Sequence, residues 1–243
     1  MRLFRSIASA FVALILVCVC MPFSAYAAQS KWVGSWSTSP VETCVEIKGK
    51  KMSDFIADRT VRIILKPTVG GDAVRFKFSN EYGEKPLVIT NIYVAYAANN
   101  PDDPSAIIPD TSYPVKFSGH NECVVPAGET LYSDSVSFSV EALQRIALSY
   151  YVKDYTPMRT GGLVGAETYL CSGKHSAQES MGTAIPLSVE VSGFRLNTVP
   201  FLTNIDVCTS PDAYSVLVIG DSTVGNDIPG LLAEKLVASD VKI

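Results

Sequence analysis

The sequence predicts a mainly β chain followed by the beginning of an α/β domain. Short segments of alternating apolar and polar residues follow one another from residue 31 to about residue 210, separated by clusters of Gly, Pro, Asn and Asp. After Pro211 the alternation gives way to a continuous apolar run, a short turn and a helical pattern. We therefore expect a β-sandwich or jelly roll over residues 31–210, and the first strand, turn and helix of an α/β domain over residues 211–243.

The segment Val74–Ser79 carries the alternation in its simplest form. Its apolar side chains fall on one face, and Arg75 and Lys77 fall on the other, as in a strand with one face on a core and one face in water. The same pattern recurs in three further predicted strands, Val61–Leu65, Val136–Val140 and Arg145–Val152. Turn-forming residues separate these segments at Gly70–Asp72, Asn99–Pro104 and Pro126–Gly128.

The last part of the chain predicts a strand, a turn and a helix. Tyr214–Ile219 is apolar without alternation, which is typical of a parallel strand covered on both faces. Gly220-Asp221-Ser222-Thr223 forms the turn, and a helix is predicted from the N-cap Asn226 to about Ser239. The apolar stripe of this helix consists of Ile228, Leu231, Leu232 and Leu236.

One helix cannot cover both faces of such a strand, so this unit should expose a contiguous apolar patch. We expect the sequence to be part of a longer protein whose further C-terminal residues complete the α/β domain. The competing interpretation is that the strand and helix dock on the sandwich or on a second subunit.

The composition excludes a disordered chain and argues against nucleic acid as a partner. The chain has 243 residues, of which 47% are hydrophobic and 18% charged, and this is enough for a packed core. Twenty basic residues stand against 24 acidic ones, for a net charge of -4 and no basic run. A phosphate backbone would find no positive surface on such a chain.

Residues 1–27 have the organisation of a Sec-type signal peptide. Arg2 and Arg5 precede an apolar run from Ala10 to Cys20, and Ala25-Tyr26-Ala27 provides small residues at the positions that signal peptidase recognises. The apolar run is shorter than the about 20 residues of a membrane-spanning helix. We therefore expect a secreted, extracellular protein without a stable membrane anchor.

Four cysteines follow the predicted signal peptide, at Cys44, Cys123, Cys171 and Cys208. In an exported protein they could form two disulfides by any of three connectivities, and the alternative is four buried thiols. Their spacing contains no Cys-x-x-Cys and places no histidine at ligand distance, so we expect no metal site.

Ser222 is the candidate catalytic residue, because it lies where an apolar strand ends and a helix begins. A hydroxyl at such a position stands at the rim of the sheet, and backbone N–H groups of the turn can point at a developing oxyanion. Gly220 and Asp221 shape the turn, with Asp221 a structural acceptor. Val224 replaces the second glycine of the Gly-x-Ser-x-Gly elbow of α/β-hydrolases, so a different serine hydrolase family is indicated. Without its flanking strand and helix, Gly-Asp-Ser would indicate a surface turn.

The block Val216–Thr223 resembles the first sequence block of the GDSL, or SGNH, hydrolases. Upstream segments resemble, in the same order, the β-rich N-terminal module of one branch of exported SGNH esterases, and the matches together cover about residues 32–236. The upstream segments are Trp32–Ser37, Val61–Arg62, Gly70–Phe76, Ser79–Gly83, Pro126–Gly128 and Phe201–Val207.

The resemblance implies a carboxylic ester hydrolase with a flavodoxin-like, three-layer α/β catalytic domain and no cofactor. It implies that Ser222 is the nucleophile that forms an acyl-enzyme, and that its backbone N–H contributes to the oxyanion hole. The residues that follow, Thr223–Asp227, are closest to those of carbohydrate acetylesterases in the family, which favours an acetylated glycan over another small ester as the substrate.

The resemblance also implies residues that this sequence does not contain. Later family blocks supply a glycine and an asparagine to the oxyanion hole, and an Asp-x-x-His pair as orienter and base. The two histidines here, His120 and His175, follow Phe117 and Ser172 at that spacing, so we interpret both as surface histidines of the β module. A serine without a base is a poor nucleophile, so the chain alone is expected to be inactive.

The alternative function is a non-catalytic secreted protein whose sandwich binds glycan or cell wall. In that case Trp32 and Trp36 would form a sugar-stacking platform, whereas the structural interpretation makes them buried anchors of the first strand. Tyr150 and Tyr151 point to opposite faces of their strand, so at most one of them is a ligand candidate.

Overall fold

Two antiparallel sheets packed face to face form the body of the protein, so the predicted mainly β fold is confirmed. The computed structural model describes residues 30–43, 46–47, 50–51, 55–163, 166–191, 194–220, 224 and 228–239. The predicted signal peptide lies outside these residues.

The smaller of the two sheets, here the small sheet, has the strand order β1, β19, β7, β11. Its strands are β1 (Lys31–Ser37), β7 (Ala73–Ser79), β11 (Thr130–Tyr132) and β19 (Leu202–Thr209). The large sheet has the order β10, β8, β12, β6, β15, β16, with β9 also paired to β8. Its strands are β6 (Arg59–Leu65), β8 (Leu87–Tyr96), β9 (Tyr113–Pro114), β10 (Glu122–Val125), β12 (Ile146–Val152), β15 (Glu167–Ser172) and β16 (Ile185–Pro186).

Shorter pairings and one helix complete the described elements. A further sheet contains β2 (Val41–Glu42), β14 (Thr160–Leu163), β17 (Ser188–Val191) and β18 (Phe194–Pro200). Two pairs stand alone, β3 (Glu46–Ile47) with β4 (Lys50–Lys51), and β5 (Phe55–Ile56) with β13 (Thr156–Pro157). The helix α1 spans Ile228–Ala238.

The main core lies between the small and the large sheet. The apolar side chains of β7 are buried there while Arg75 and Lys77 lie half-buried on the outer face, which confirms the predicted alternation. The ring of Phe78 meets the ring of Tyr150 on β12 edge to face, with centroids 5.5 Å apart. The hydroxyl of Tyr150 donates a hydrogen bond to the carbonyl of Pro200 at 2.7 Å, so this buried ring leaves no unpaired polar atom.

The strand predicted at Val136–Val140 is wrong, although its apolar side chains are buried as expected. Val136 and Val140 each form only an isolated bridge, to Val74 and Gly71 respectively. Between these two points the backbone does not pair continuously with a neighbour. The segment therefore contributes side chains to the core without extending a sheet.

The outer face of the large sheet is also covered, and Arg62 lies at its centre without solvent exposure. Loop residues from about 98 to 112 and from 173 to 184 close over this face. A second apolar cluster lies beneath them, made of Ile64, Ala95, Ala97, Ile107, Ala147, Tyr169, Cys171 and Met181. The central strands of the large sheet, β6 and β12, therefore have two buried faces, so the prediction of one water-facing side for Val61–Leu65 and Arg145–Val152 is wrong.

The guanidinium of Arg62 hydrogen-bonds mainly to loop carbonyls. Its Nε donates to the hydroxyl of Ser149 at 2.8 Å, and one terminal nitrogen donates to the carbonyl of Ser105 at 2.7 Å. The other terminal nitrogen donates to the carbonyl of Gln178 at 2.8 Å, with longer contacts to those of His175 and Ser176. Burial lowers the pKa of Arg62 to about 10, so the group stays charged at neutral pH. Arg62 thus ties both covering loops to the sheet.

Replacing Arg62 by Lys tests this role. A lysine keeps the charge but has only three donors and no planar fork, so several loop carbonyls lose their partner. We expect Arg62→Lys to lower the free energy of unfolding by about 2–4 kcal/mol. Urea denaturation measures this value. The matched control is Arg59→Lys on the same strand, because the side chain of Arg59 forms only an exposed hydrogen bond among the described residues, to Ser172. This substitution should change the free energy of unfolding by no more than about 0.5 kcal/mol. Equal effects of the two substitutions would contradict the role of Arg62.

The described cysteines are free thiols. Cys123 and Cys171 are buried, Cys208 is half-buried, and none of the three forms a disulfide. Two disulfides among four cysteines would require at least one bond between these three, so the structure agrees with the thiol alternative for them. Cys44 lies outside the described residues.

Thiol labelling checks this arrangement. Burial raises the pKa of Cys123 to about 12, so almost no thiolate is present at pH 8. We expect iodoacetamide at pH 8 to modify Cys208 at least about tenfold faster than Cys123, as measured by peptide mass spectrometry. In urea the two rates should converge. Equal modification rates of Cys208 and Cys123 in the native protein would show that Cys123 is not buried.

Candidate functional site

The segment that carries the candidate motif leaves the sandwich after β19 and passes beside β1. Ala213 is fully buried, and the hydroxyl of Ser215 donates a hydrogen bond to the carbonyl of Gly34 at 2.8 Å. The ammonium of Lys31 lies 4.5 Å from the ring centroid of Tyr214. These contacts fix the start of the segment against the small sheet.

The strand predicted at Tyr214–Ile219 is not present. Residues 213–220 have no assigned secondary structure and pair with no described strand. Leu217 is 74% exposed and Ile219 is 83% exposed, so this apolar run lacks the cover on both faces that a central parallel strand has. A strand requires a neighbour for its backbone groups, and no described residue provides one. The expected exposure of apolar side chains is confirmed, and Val216, Ile228, Leu231 and Leu232 extend it.

The turn itself is described only at its two ends. Asp221, Ser222 and Thr223 lie outside the described residues. At Gly220, an added Cβ would lie 2.3 Å from Cγ2 of Val224, so the chain folds back closely at this glycine. The absence of a side chain at position 220 thus allows the contact between the end of the extended segment and Val224.

The predicted helix is present as α1, but it packs by a different residue than predicted. It ends at Ala238, next to the predicted end at about Ser239, and the predicted N-cap Asn226 is outside the described residues. Ala233 is 2% exposed, whereas the predicted stripe residues Ile228, Leu231 and Leu232 are exposed. The small side chain of Ala233 allows the helix to approach the sandwich closely. Docking on the sandwich, the competing interpretation of this unit, is therefore observed for one face of the helix.

A cavity of about 400 Å³ lies between the sandwich and this unit. We call it the helix cavity. On the sandwich side it is lined by Trp36, Lys66, Arg145, Glu167 and Asn197, among others. On the other side it is lined by Val216–Val218, Val224, Leu232, Ala233 and Glu234. Val224 stands two positions after Ser222 in the sequence, so the cavity adjoins the candidate motif along the chain.

Two ion pairs lie in the cavity wall. Nζ of Lys66 is 3.8 Å from a carboxylate oxygen of Glu234, which links β6 to the helix. The guanidinium of Arg145 is 3.2 Å from the carboxylate of Glu167 and also donates to the side chain of Asn99 at 3.0 Å. Arg145 is thus held by partners on both sides. The wall contains two cations and two carboxylates, and their formal charges cancel.

Sequence reasoning missed this cavity because its polar residues lie far apart in the chain. Lys66 directly follows β6, and Arg145 directly precedes β12. The pairing of Leu65 with Ile146 brings these two chain positions to the same end of the sheet. The sequence does show a charged residue next to each of these two apolar strands. Only the pairing register between β6 and β12, which the sequence does not reveal, shows that the two charged residues lie close together.

The two histidines are remote from this unit. His120 is exposed, as expected. His175 is half-buried, its ring Nδ1 lies 2.6 Å from Oε1 of Gln178, and its carbonyl accepts from Arg62. His175 belongs to a loop that covers the large sheet, and its partial exposure agrees with its interpretation as a surface histidine of the β module. Neither histidine lines the helix cavity.

Trp32 and Trp36 lie on opposite faces of β1. Residues four apart in a regular strand share a face, but the register with β19 shifts between Gly34 and Trp36. Trp36 therefore packs against the core, as the anchor interpretation predicts. Trp32 lies half-buried on the outer face, 4.7 Å from the guanidinium of Arg75.

Tyr150 and Tyr151 are both buried, so neither is an exposed ligand candidate. Tyr150 lies in the main core, and the hydroxyl of Tyr151 donates to the carboxylate of Asp58 at 2.6 Å. In the described part of the chain, no group of three or more His, Cys, Asp or Glu side chains is arranged to hold a metal ion. No helix among the described residues is long and apolar enough to cross a membrane.

Comparison with known proteins finds no matching family model and no matching curated protein.

The docking of α1 can be tested at Ala233. A carboxylate at this buried position would have to be desolvated against the sandwich, and an 11-residue helix is marginally stable alone in water. We expect Ala233→Glu to release the helix, with amide hydrogen exchange of residues 228–238 accelerating at least about tenfold. Ala238→Glu, at the exposed end of the helix, is the control. Unchanged exchange in Ala233→Glu would contradict the docked arrangement.

Proposed function

We propose that the protein is a secreted carboxylic ester hydrolase of the SGNH, or GDSL, type, with residues 31–210 as its β-sandwich accessory module. Residues 211–243 are the start of its catalytic domain, and residues 1–27 are the signal peptide. The observation that carries the proposal is the ordered set of motif resemblances that ends in Gly220-Asp221-Ser222-Thr223.

Two structural features support this assignment. The sandwich occupies the position in the chain at which the resembling esterases have their β-rich module. The motif lies between the apolar run of residues 214–219 and helix α1, and Gly220 lies close to Val224. In the proposed enzyme the nucleophile stands just before a helix, because the helix start directs backbone N–H groups at the oxyanion.

The proposed reaction is acyl transfer to Ser222. The hydroxyl oxygen attacks the ester carbonyl, and the proton passes to a histidine that an aspartate orients. The backbone N–H of Ser222 stabilises the oxyanion, the alcohol leaves with a proton, and water then releases the acid from the acyl-enzyme. In this proposal the histidine and aspartate come from further residues of the catalytic domain. The proposed substrate is an acyl ester of a carbohydrate or another small molecule, with acetyl esters favoured by Thr223–Asp227.

The second candidate is a non-catalytic glycan- or cell-wall-binding protein. It is favoured by the outer face of the small sheet, where the guanidinium of Arg75 lies 4.7 Å from the ring centroids of both Trp32 and Tyr132. Half-exposed aromatic rings beside the Arg75–Asp206 ion pair provide stacking and polar contacts of the kind that sugars use.

Substitution of Ser222 separates the two candidates. We expect the complete gene product to hydrolyse p-nitrophenyl acetate and to be labelled by a fluorophosphonate. Ser222→Ala should lower kcat by at least about 1,000-fold and abolish labelling, because the proposal places the acyl-enzyme on this hydroxyl. The control is Ser215→Ala, which removes the hydrogen bond to Gly34 and leaves the proposed nucleophile intact. Turnover or labelling that survives Ser222→Ala would contradict the enzyme proposal.

The chain itself provides a further check. Its two histidines belong to the sandwich, so residues 28–243 should not hydrolyse the ester. Hydrolysis by these residues alone that depends on Ser222 would show that the base is present among them.

A further inference from the structure

We propose that the helix cavity binds the sugar part of the substrate, so that the β-sandwich contributes directly to specificity. This inference rests on the proposed function for its link to catalysis. It concerns residues of the sandwich that the proposed acyl transfer does not use, namely Trp36, Lys66, Arg145 and Asn197.

The volume and position of the cavity fit a small ligand. Its volume of about 400 Å³ falls within the range of about 300–1,000 Å³ that small-molecule sites occupy. It is lined both by the sandwich and by Val218 and Val224, which flank the candidate motif in the sequence. A ligand in the cavity would therefore contact both parts of the protein at once.

The charges in the wall favour a neutral, polyhydroxylated ligand. Lys66 is paired with Glu234, and Arg145 with Glu167, so a charged ligand would have to displace an existing partner. An acyl chain would cover these four groups without offering them hydrogen bonds, which costs desolvation energy. Sugar hydroxyls both donate and accept, so they can bind the cations and the carboxylates together.

Asn197 and Trp36 provide the remaining features of a sugar site. The half-buried amide of Asn197 lines the cavity, and no described residue forms a hydrogen bond with it. It can donate and accept toward a ligand without losing an internal contact. Trp36 is partly buried at the edge of the main core and lines the same cavity, which places an aromatic side chain next to these polar groups.

The test is calorimetric titration of the full chain with partially acetylated xylohexaose and, separately, with decanoate. We expect saturable binding of the oligosaccharide at one site and none of decanoate. Asn197→Leu should weaken the affinity for the saccharide about tenfold, the usual effect of losing one or two hydrogen bonds. Asn121→Leu, an exposed asparagine at the edge of the large sheet, is the matched control and should change the affinity by less than about twofold.

A second variant and a second readout keep the test decisive. Lys66→Met removes a different polar group from the wall and should also weaken binding. In a Trp32→Phe background, Trp36 is the remaining tryptophan, and its fluorescence should change as the saccharide binds. Binding of decanoate, absence of saturable saccharide binding, or unchanged affinity in both variants would each overturn the proposal.

These results are independent of the test of Ser222. Suppose that Ser222 is labelled but the cavity variants bind the saccharide with unchanged affinity. The esterase proposal would then stand, and the proposal that the cavity determines specificity would be overturned. If saccharide binding depends on Asn197 but Ser222 is not reactive, the result would support the cavity as a sugar-binding site and overturn the proposal that the protein is an esterase.

Discussion

The buried guanidinium of Arg62 is the interaction on which the large sheet depends. Its strand neighbours Val61 and Ile63 face the main core, so Arg62 points to the opposite face, where alternation alone would predict solvent. Carbonyls of two loops solvate the charge in place of water. These loops then cover the second apolar cluster, which explains why β6 and β12 are buried on both faces. A charged residue in an apolar strand thus organises the layer above it.

The outer face of the small sheet, unlike that of the large sheet, is only partly covered. There the alternation survives, with Arg75 and Lys77 half-buried between the rings and the carboxylate of neighbouring strands. Gly34 has no side chain on this face, and Ser215 reaches its carbonyl. The last segment of the chain is therefore anchored where β1 leaves space beside it. A hydrogen bond to the backbone of the first strand therefore holds the segment that leads to the candidate motif.

The sequence was sufficient to predict the sandwich, because alternation and turns are local properties. Val74–Ser79 is a half-buried strand as predicted, whereas Ile146–Val152 is a strand as predicted but is buried on both faces. Val136–Val140 fails because alternation reports burial, and burial does not require continuous backbone pairing. The sequence predicts the same environment for Trp32 and Trp36, because residues four apart in a regular strand share a face. The shift in register between Gly34 and Trp36 puts them on opposite faces, and no local pattern in the sequence indicates this shift. The helix cavity could not be predicted, because it arises from the pairing of distant strands.

The candidate catalytic unit has two faces with opposite chemistry. One face closes the helix cavity, with Ala233 buried and Glu234 paired to Lys66. The other face presents Ile219, Ile228 and Leu231 to solvent, and no described residue covers this apolar surface. If the unit begins an SGNH domain, that apolar face is the one on which further strands and helices would pack, while the polar face stays with the sandwich. The same short segment would then join the accessory module to the catalytic core and close the site between them, which gives the sandwich a physical reason to precede the motif.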